Sequence, residues 1–277
     1  MNHANAIAFL REVHALLACE DDLSPENPRV NETLGRLVAT VKSWQRHGFG
    51  RDLPDNVEAR IFAESLPPIC ARAECEMEKW WARQILASDC PGAQALTAFW
   101  YLDEYKALCG SELTLIGSRT PDRAIFLGSG ALPVTAILMA RSRPDLSVVC
   151  VDCDGDACEL AERLIAALGL SGRIAVENCM AEDFTACSSD TIICASLLQA
   201  PSLFDRLWRR RVQRLIVRDA EGPYRFCYRP ARLPRHGYAE SARSGMATDR
   251  INISRYLEWR PENPASLDQD HFFRKRS

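Results

Sequence analysis

The sequence predicts an α/β protein in two parts, a helical domain over residues 1–120 and a doubly wound parallel sheet over residues 121–277. Three observations carry that reading. Apolar residues before residue 113 recur at helical spacing and never alternate. From residue 122 apolar strands alternate with amphipathic helices, the pattern of a parallel sheet with right-handed crossovers. A glycine turn, Gly128-Ser129-Gly130, follows the first of those strands directly.

In the first part, Ile7, Leu10, Val13 and Leu17 mark one helix, and Leu34, Leu37, Val38 and Val41 a second. Breaks are expected at Ser24-Pro25, Pro28, Pro54 and Pro67-Pro68. The helix after Pro67-Pro68 runs from Ile69 to Ala87 in this reading. At 100° per residue its apolar arc holds Ile69, Cys70, Ala73, Met77, Trp80, Trp81 and Ile85. Arg72, Glu76, Lys79 and Arg83 lie opposite. Glu74 instead projects into the apolar arc, between Trp81 and Ile85, and Glu78 borders it one turn later. An unpaired buried carboxylate is costly, so Glu74 has a partner, such as an arginine elsewhere, or performs a task as a general base in a cleft. Tyr101 and Tyr105 follow, one helical turn apart. That spacing alone fits core packing as well as a site.

In the second part the strands are the run ending at Leu127, then SVVCVDCD, RIAVENCM, DTIICASLL and RLIVRD, with INISRYLEW as a strand-like segment near the end. Glycines at the tip of a first strand let backbone approach a ligand. The full GxGxxG is absent because Pro133 stands at its third position. Asp152 ends the second strand, where a carboxylate accepts both ribose hydroxyls of an adenosine. Together these point to an adenosyl ligand, and to S-adenosylmethionine over a dinucleotide. Asp154 or Asp156 is expected to cap the helix beginning near Cys158. A calcium loop fails there, since Ala157 replaces the needed glycine and Arg163 the final glutamate.

The chain has 277 residues, 47 % hydrophobic and 26 % charged, with a formal net charge of −3, enough to build a core and to exclude general disorder. No basic footprint points to nucleic acid. No apolar run reaches the ~20 residues of a membrane span. The first twenty residues do not read as a signal peptide, so a cytoplasmic protein is expected. On that basis the twelve cysteines read as small buried residues in a reducing compartment rather than as disulfides. Cys150-Val-Asp-Cys153 lacks further ligands for zinc.

These residues resemble the nicotianamine synthase-like family. The run Phe126 to Thr135 is similar to its glycine–leucine–proline turn. Ala73-Glu74-Cys75-Glu76-Met77-Glu78 looks like its AE…LE signature. Phe99 to Tyr105 is similar to its aromatic segment, and Val217 to Arg225 to its stretch after the fifth strand. The matches keep their order over residues 70–230. Ala131 and Trp100 stand where the family has prolines, Glu104 where it has asparagine, and Asp219 and Glu221 where it has serine and histidine. Those departures leave the cofactor site intact and bear on the acceptor substrate. In length the chain looks more like the bacterial histidine 2-aminobutanoyltransferases of opine-metallophore synthesis, of the staphylopine and pseudopaline type, than like the plant enzymes.

The resemblance implies a Rossmann-like S-adenosylmethionine domain and transfer of that molecule's aminobutyrate arm to the α-amine of histidine, with methylthioadenosine leaving. It implies Glu74 or Glu78 as general base, Tyr101 or Tyr105 as orienting groups, and Gly128, Ser129, Gly130, Leu132 and Pro133 at the cofactor. Asp152 would hold the ribose, with Ala181 and Glu182 in a turn flanking the adenine. Arg218 would meet a substrate carboxylate, or else form a surface ion pair. A downstream opine dehydrogenase would complete a chelator, no metal is required by the enzyme itself, and a homodimer is compatible. Rival readings are a nicotianamine-type synthase, an ordinary methyltransferase and a non-catalytic adenosyl-binding module.

Overall fold

The computed structural model describes residues 2–89, 93–117, 123–200, 202–234, 237–244 and 252–261. Helix α1 (His3–Ala18) buries Ile7, Leu10, Val13 and Leu17, the stripe read from the sequence. Asn27 caps α2 (Pro28–Arg46) by accepting from the backbone of Arg29 and Val30, so Pro28 opens a helix instead of breaking one. Pro54 lies in a 3-10 turn, Leu53–Asp55.

Helix α3 (Arg60–Ala87) corrects the sequence reading, because it runs through Pro67 and Pro68 without ending. Proline inside a helix costs ~3 kcal/mol. Here Phe62, Leu66 and Pro67 are buried against the core that α1 and α2 build, and this burial offsets the cost. The consequence is one 28-residue rod that carries Glu74 and Glu78 in fixed register. The short α4 (Ala93–Leu96) and α5 (Leu102–Ile116) follow. The expected domain boundary near residue 120 lies outside the described residues, as does Cys90.

The second part alternates as expected: β1 (Arg123–Leu127), α6 (Val134–Ser142), β2 (Ser147–Asp152), α7 (Gly155–Ala167), β3 (Ile174–Asn178), β4 (Thr191–Cys194), α8 (Leu203–Arg209) and β5 (Arg214–Asp219). Two further strands close the sheet, β6 (Tyr238–Arg243) and β7 (Ile253–Trp259). The strand order is β3-β2-β1-β4-β5-β7-β6. Strands β1 to β5 pair in parallel, whereas β7 runs antiparallel to β5 and to β6. INISRYLEW therefore completes the sheet. β6 was not anticipated; its sequence YAESAR is short, polar and exposed at the sheet edge, where charge discourages further pairing.

Helical and sheet residues share one core, in which Ile85, Phe99 and Leu102 pack with Phe126, Val134 and Ile216. The helices thus sit over the sheet at a fixed distance. The order reverses between β1 and β4, which opens a crevice at the carboxyl ends of these strands.

Candidate active site

A cavity of about 330 Å³ fills that crevice. Single-ligand pockets span roughly 300–1,000 Å³. Its floor is the strand tips, including Gly128, Ser129, Gly130 and Asp152, and its roof is α3 and α5 with Glu74, Glu78, Tyr101 and Tyr105. Leu132, Ala181, Glu182 and Arg218 also line it. Of the catalytic, cofactor and substrate residues expected from the sequence, Pro133 alone stands off the wall, as the cap residue preceding α6.

The glycine turn is built for close approach. Gly128 has φ +75°, and a Cβ there would come within 3.2 Å of the Ala195 side chain. Gly130 has φ +67°, and a Cβ there would collide with Glu78 Oε2. Positive φ at both positions favours glycine. Asp152 fastens the turn: the Gly130 N–H donates to its Oδ2 at 2.8 Å and the Asp154 N–H to its Oδ1 at 3.0 Å. Each carboxylate oxygen retains a second lone-pair direction, so the residue can fix the turn and still accept ribose hydroxyls. An adenosyl group therefore fits this floor. Asp154 caps α7, which starts at Gly155, three residues earlier than anticipated. Its carboxylate also binds Lys79 Nζ at 2.6 Å, tying α3 to the floor.

Glu74 and Glu78 stand one turn apart on α3 and both open on the cavity. The Tyr228 hydroxyl donates to Glu74 Oε2 at 2.7 Å. Tyr105 reaches Glu78 Oε1 at 3.5 Å, the outer limit of a hydrogen bond. Glu74 therefore pairs with a tyrosine, not with an arginine. Burial pushes the Glu74 carboxyl above its usual value, with the Tyr228 bond and Arg218 pulling it partly back. Burial pushes Glu78 well above its usual value, and the negative charges of Glu74 and Asp152 add to the effect. The phenols of Tyr101, Tyr105 and Tyr228 are raised by burial first and by nearby carboxylates second, so all three act as neutral donors. Glu76 is exposed, as its place on the wheel implies.

Arg218 corrects a second expectation, since its ion pair is buried and not on the surface. Its Nε and Nη2 donate to the two oxygens of Glu112 at 2.8 and 3.0 Å, and Nη2 also to Thr135 at 2.7 Å. Side-chain exposure is 5 % for Arg218 and 0 % for Glu112, so the guanidinium charge is already compensated. Ser254 Oγ donates to Glu112 at 2.8 Å, and the Arg218 guanidinium lies 5.0 Å from the centre of the Phe126 ring. Glu104 lines the wall and is held by Lys42 at 2.8 Å. Asn252 lines it too, and its Oδ1 is buried without a donor among the described residues. Asp219 and Glu221 do not reach the cavity; both bind Arg255 at the end of β5. Of the acidic departures from the family pattern, only Glu104 faces the ligand space.

Tyr228, Glu112 and Asn252 were not anticipated. Tyr228 follows β5 two residues beyond a 3-10 turn, Gly222–Phe226, and Glu112 sits in a helical stretch whose burial shows only when β5 and β7 are in place. The reading of the cysteines holds in part. Cys109, Cys150, Cys158, Cys194 and Cys227 are buried, but Cys19, Cys75, Cys153 and Cys187 are exposed. Cys75 opens on the cavity, yet desolvation and the carboxylates around it hold its thiol at about 12, far from thiolate chemistry. Among the described residues no group of three or more His, Cys, Asp or Glu side chains is arranged to hold a metal ion, and no helix is long and apolar enough to cross a membrane.

A parallel sheet that reverses at a glycine turn, with a carboxylate at the tip of its second strand, defines a Rossmann-like protein with a nucleotide-type crevice. Residues 2–199 match the family model described as nicotianamine synthase protein. The chain belongs to the nicotianamine synthase family. It is 30 % identical over 239 residues to nicotianamine synthase 9 of Hordeum vulgare, covering 80 % of this chain and 69 % of that protein. It is 30 % identical over 194 residues to L-histidine 2-aminobutanoyltransferase of Yersinia pestis, covering 66 % and 70 %. Among solved structures, a glutamate-to-glutamine mutant of MtNAS superposes with a TM-score of 0.79 over 93 % of this chain and 98 % of that one, at 19 % identity. MtNAS in complex with MTA and tNA gives 0.75 over 94 % and 99 %, also at 19 % identity. These structures share the fold.

Proposed function

We propose that the protein transfers the 3-amino-3-carboxypropyl (aminobutyrate) group of S-adenosylmethionine to the α-amine of histidine and releases methylthioadenosine. The observation that carries this reading is the pair Glu74 and Glu78, raised carboxyls facing a nucleotide-type glycine turn across one cavity. The name of the Yersinia relative, L-histidine 2-aminobutanoyltransferase, supports the same transfer. The product would pass to a downstream opine dehydrogenase for a metallophore, in the cytoplasm. In this reading the helices of residues 1–120 form the roof over the adenosyl-binding part, residues 121–277.

The sulfonium supplies an electrophilic carbon at the end of the aminobutyrate arm. The amine nitrogen forms a bond to that carbon, the carbon–sulfur bond breaks, and its electron pair stays on sulfur. The amine must first lose a proton, since an α-ammonium group has a pKa of ~8. Glu78 is our assignment for the acceptor of that proton. It packs on Gly130, beside the bound sulfonium in this reading, and burial raises its carboxyl toward the ammonium range. In the empty cavity burial favours its neutral form. A cationic sulfonium and ammonium favour its carboxylate, so the base is charged by the ligands it serves. Glu74, held by Tyr228, orients the amine, and Tyr105 orients Glu78. Tyr101 donates to the aminobutyrate carboxylate. Asp152 holds the ribose and Ala181 and Glu182 flank the adenine. Arg218, compensated by Glu112, positions the wall and offers no free counter-charge.

The test is product analysis by mass spectrometry after incubation with S-adenosylmethionine and histidine. One added aminobutyrate with methylthioadenosine is the expected result. Repeated additions would favour a nicotianamine-type synthase, the reading that the 80 % coverage by the barley relative keeps open. S-adenosylhomocysteine would mean methyl transfer, and no turnover with any amine a binding module. Glu78→Gln should lower turnover ~10²- to 10⁴-fold, the usual range for a general base, with S-adenosylmethionine binding retained. Glu74→Gln should cost less. The reverse order would transfer the base assignment to Glu74.

A further inference from the structure

We infer that Glu104 sets acceptor specificity, selecting an amine whose own side chain carries a second N–H donor or positive charge. The inference rests on the proposed transfer reaction and concerns the roof end of the same cavity. That end presents hydrogen-bond acceptors in excess. Glu74, Glu78 and Glu104 line it with carboxylates, and on the same cavity wall Asn252 adds a buried Oδ1 that no donor among the described residues meets. Among the described residues the single arginine on the wall, Arg218, is compensated by Glu112. A buried acceptor left unmatched costs ~1–3 kcal/mol, so a ligand that brings donors is favoured over one that does not.

Glu74 and Glu78 are engaged by Tyr228 and Tyr105 and belong to the reaction. Glu104 is different. It stands on α5 between Tyr101 and Tyr105 in sequence, and its side chain is 41 % exposed, at the rim of the cavity. Lys42 binds its Oε1 from α2. That bond occupies one carboxylate oxygen and leaves Oε2 for a ligand. A carboxylate there, near the ring of Tyr101, suits a flat donor such as imidazole or a short ammonium side chain. It repels an acidic one.

The bland alternative is a salt bridge that only ties α2 to α5, and two variants separate the two. Glu104→Gln should raise KM for histidine at least fivefold with kcat changed less than KM, and should cut the preference for histidine over alanine at least fivefold. Lys42→Met removes the bridge and keeps the carboxylate, so it should retain the wild-type preference. Loss of preference in Lys42→Met alone, or an unaltered preference in Glu104→Gln, overturns the inference. Calorimetric titration of histidine and of alanine into the protein with methylthioadenosine reads binding in parallel. A chain that binds histidine over alanine but does not turn over would sink the transfer reaction and leave the role of Glu104 standing. Equal binding of both amino acids by the unaltered protein sinks the inference.

Discussion

Two acidic sites lie within this one core, and they solve the problem of a buried carboxylate in opposite ways. Glu112 is fully buried and meets Arg218 through both oxygens, with Ser254 as a further donor. Glu74 and Glu78 are less buried, face the cavity and, among the described residues, meet only tyrosine hydroxyls. The first site has its charge compensated at rest. In the second, burial raises both carboxyls, and the negative charges of Glu74 and Asp152 raise that of Glu78 further. The comparison teaches where the fold keeps stability and where it keeps chemistry. A compensated pair has little drive to exchange a proton with a ligand, and an uncompensated pair has a large one.

The largest expected effect breaks the compensated site. Glu112→Ala should leave the Arg218 cation buried without its counter-charge and cost about 3–5 kcal/mol of unfolding free energy by chemical denaturation. The double variant Glu112→Leu with Arg218→Met should recover most of that loss, because an apolar pair of similar volume needs no compensation. If Glu112→Ala is within 1 kcal/mol of the unaltered protein, water reaches the pair and the contrast with Glu74 and Glu78 is wrong.

The second effect has the opposite sign. Glu78 has a folded-state carboxyl raised above its unfolded value, so between the two values the folded chain holds more protons than the unfolded one. Stability must then fall with rising pH, beginning near the ordinary glutamate value of 4.5 and continuing through the raised folded value. Glu78→Gln removes this penalty. It should be more stable than the unaltered protein at pH 8, by on the order of 1 kcal/mol, while losing activity. Below pH 4.5 the two should converge, since the carboxyl is then protonated in both states. Thermal melts of both proteins across this range check the sign, and a variant less stable at pH 8 than at pH 4 relative to the parent would contradict it.

How much of this was legible in the sequence differs between the same two sites. The uncompensated site was readable because local periodicity exposes it: Glu74 breaks the apolar arc of a helix, and a glycine turn follows an apolar strand. The compensated site was not, since Glu112 and Arg218 are 106 residues apart and their contact exists only once α5 packs on the sheet. Tyr228 was missed for the same reason, meeting Glu74 from 154 residues away. Pro67 and Pro68 misled the boundary of α3 because tertiary burial outweighed a local helix-breaking preference. β6 was missed because an exposed polar edge strand carries no alternation to read.

The smallest expected effect concerns the tether between the two parts. Lys79 and Asp154 join α3 to the cap of α7, and the carboxylate is 41 % exposed, so solvent screens the pair. Such bridges contribute ~0–1 kcal/mol. The Lys79 hydrogen bond chiefly lowers the Asp154 carboxyl, and the contribution is therefore present above the ordinary aspartate value of 3.8 and lost as pH falls through the lower folded value. Lys79→Met should cost at most ~1 kcal/mol at neutral pH, less in high salt, and nothing measurable once Asp154 is protonated. Its effect on turnover sharpens the comparison further. α3 is also held by burial of Phe62, Leu66, Ala82 and Ile85, so Glu78 should keep its place over Gly130 without the tether. If Lys79→Met nevertheless lowers turnover as far as Glu78→Gln does, then position and not proton transfer limits the reaction, and the uncompensated carboxylates owe their effect to where α3 sits.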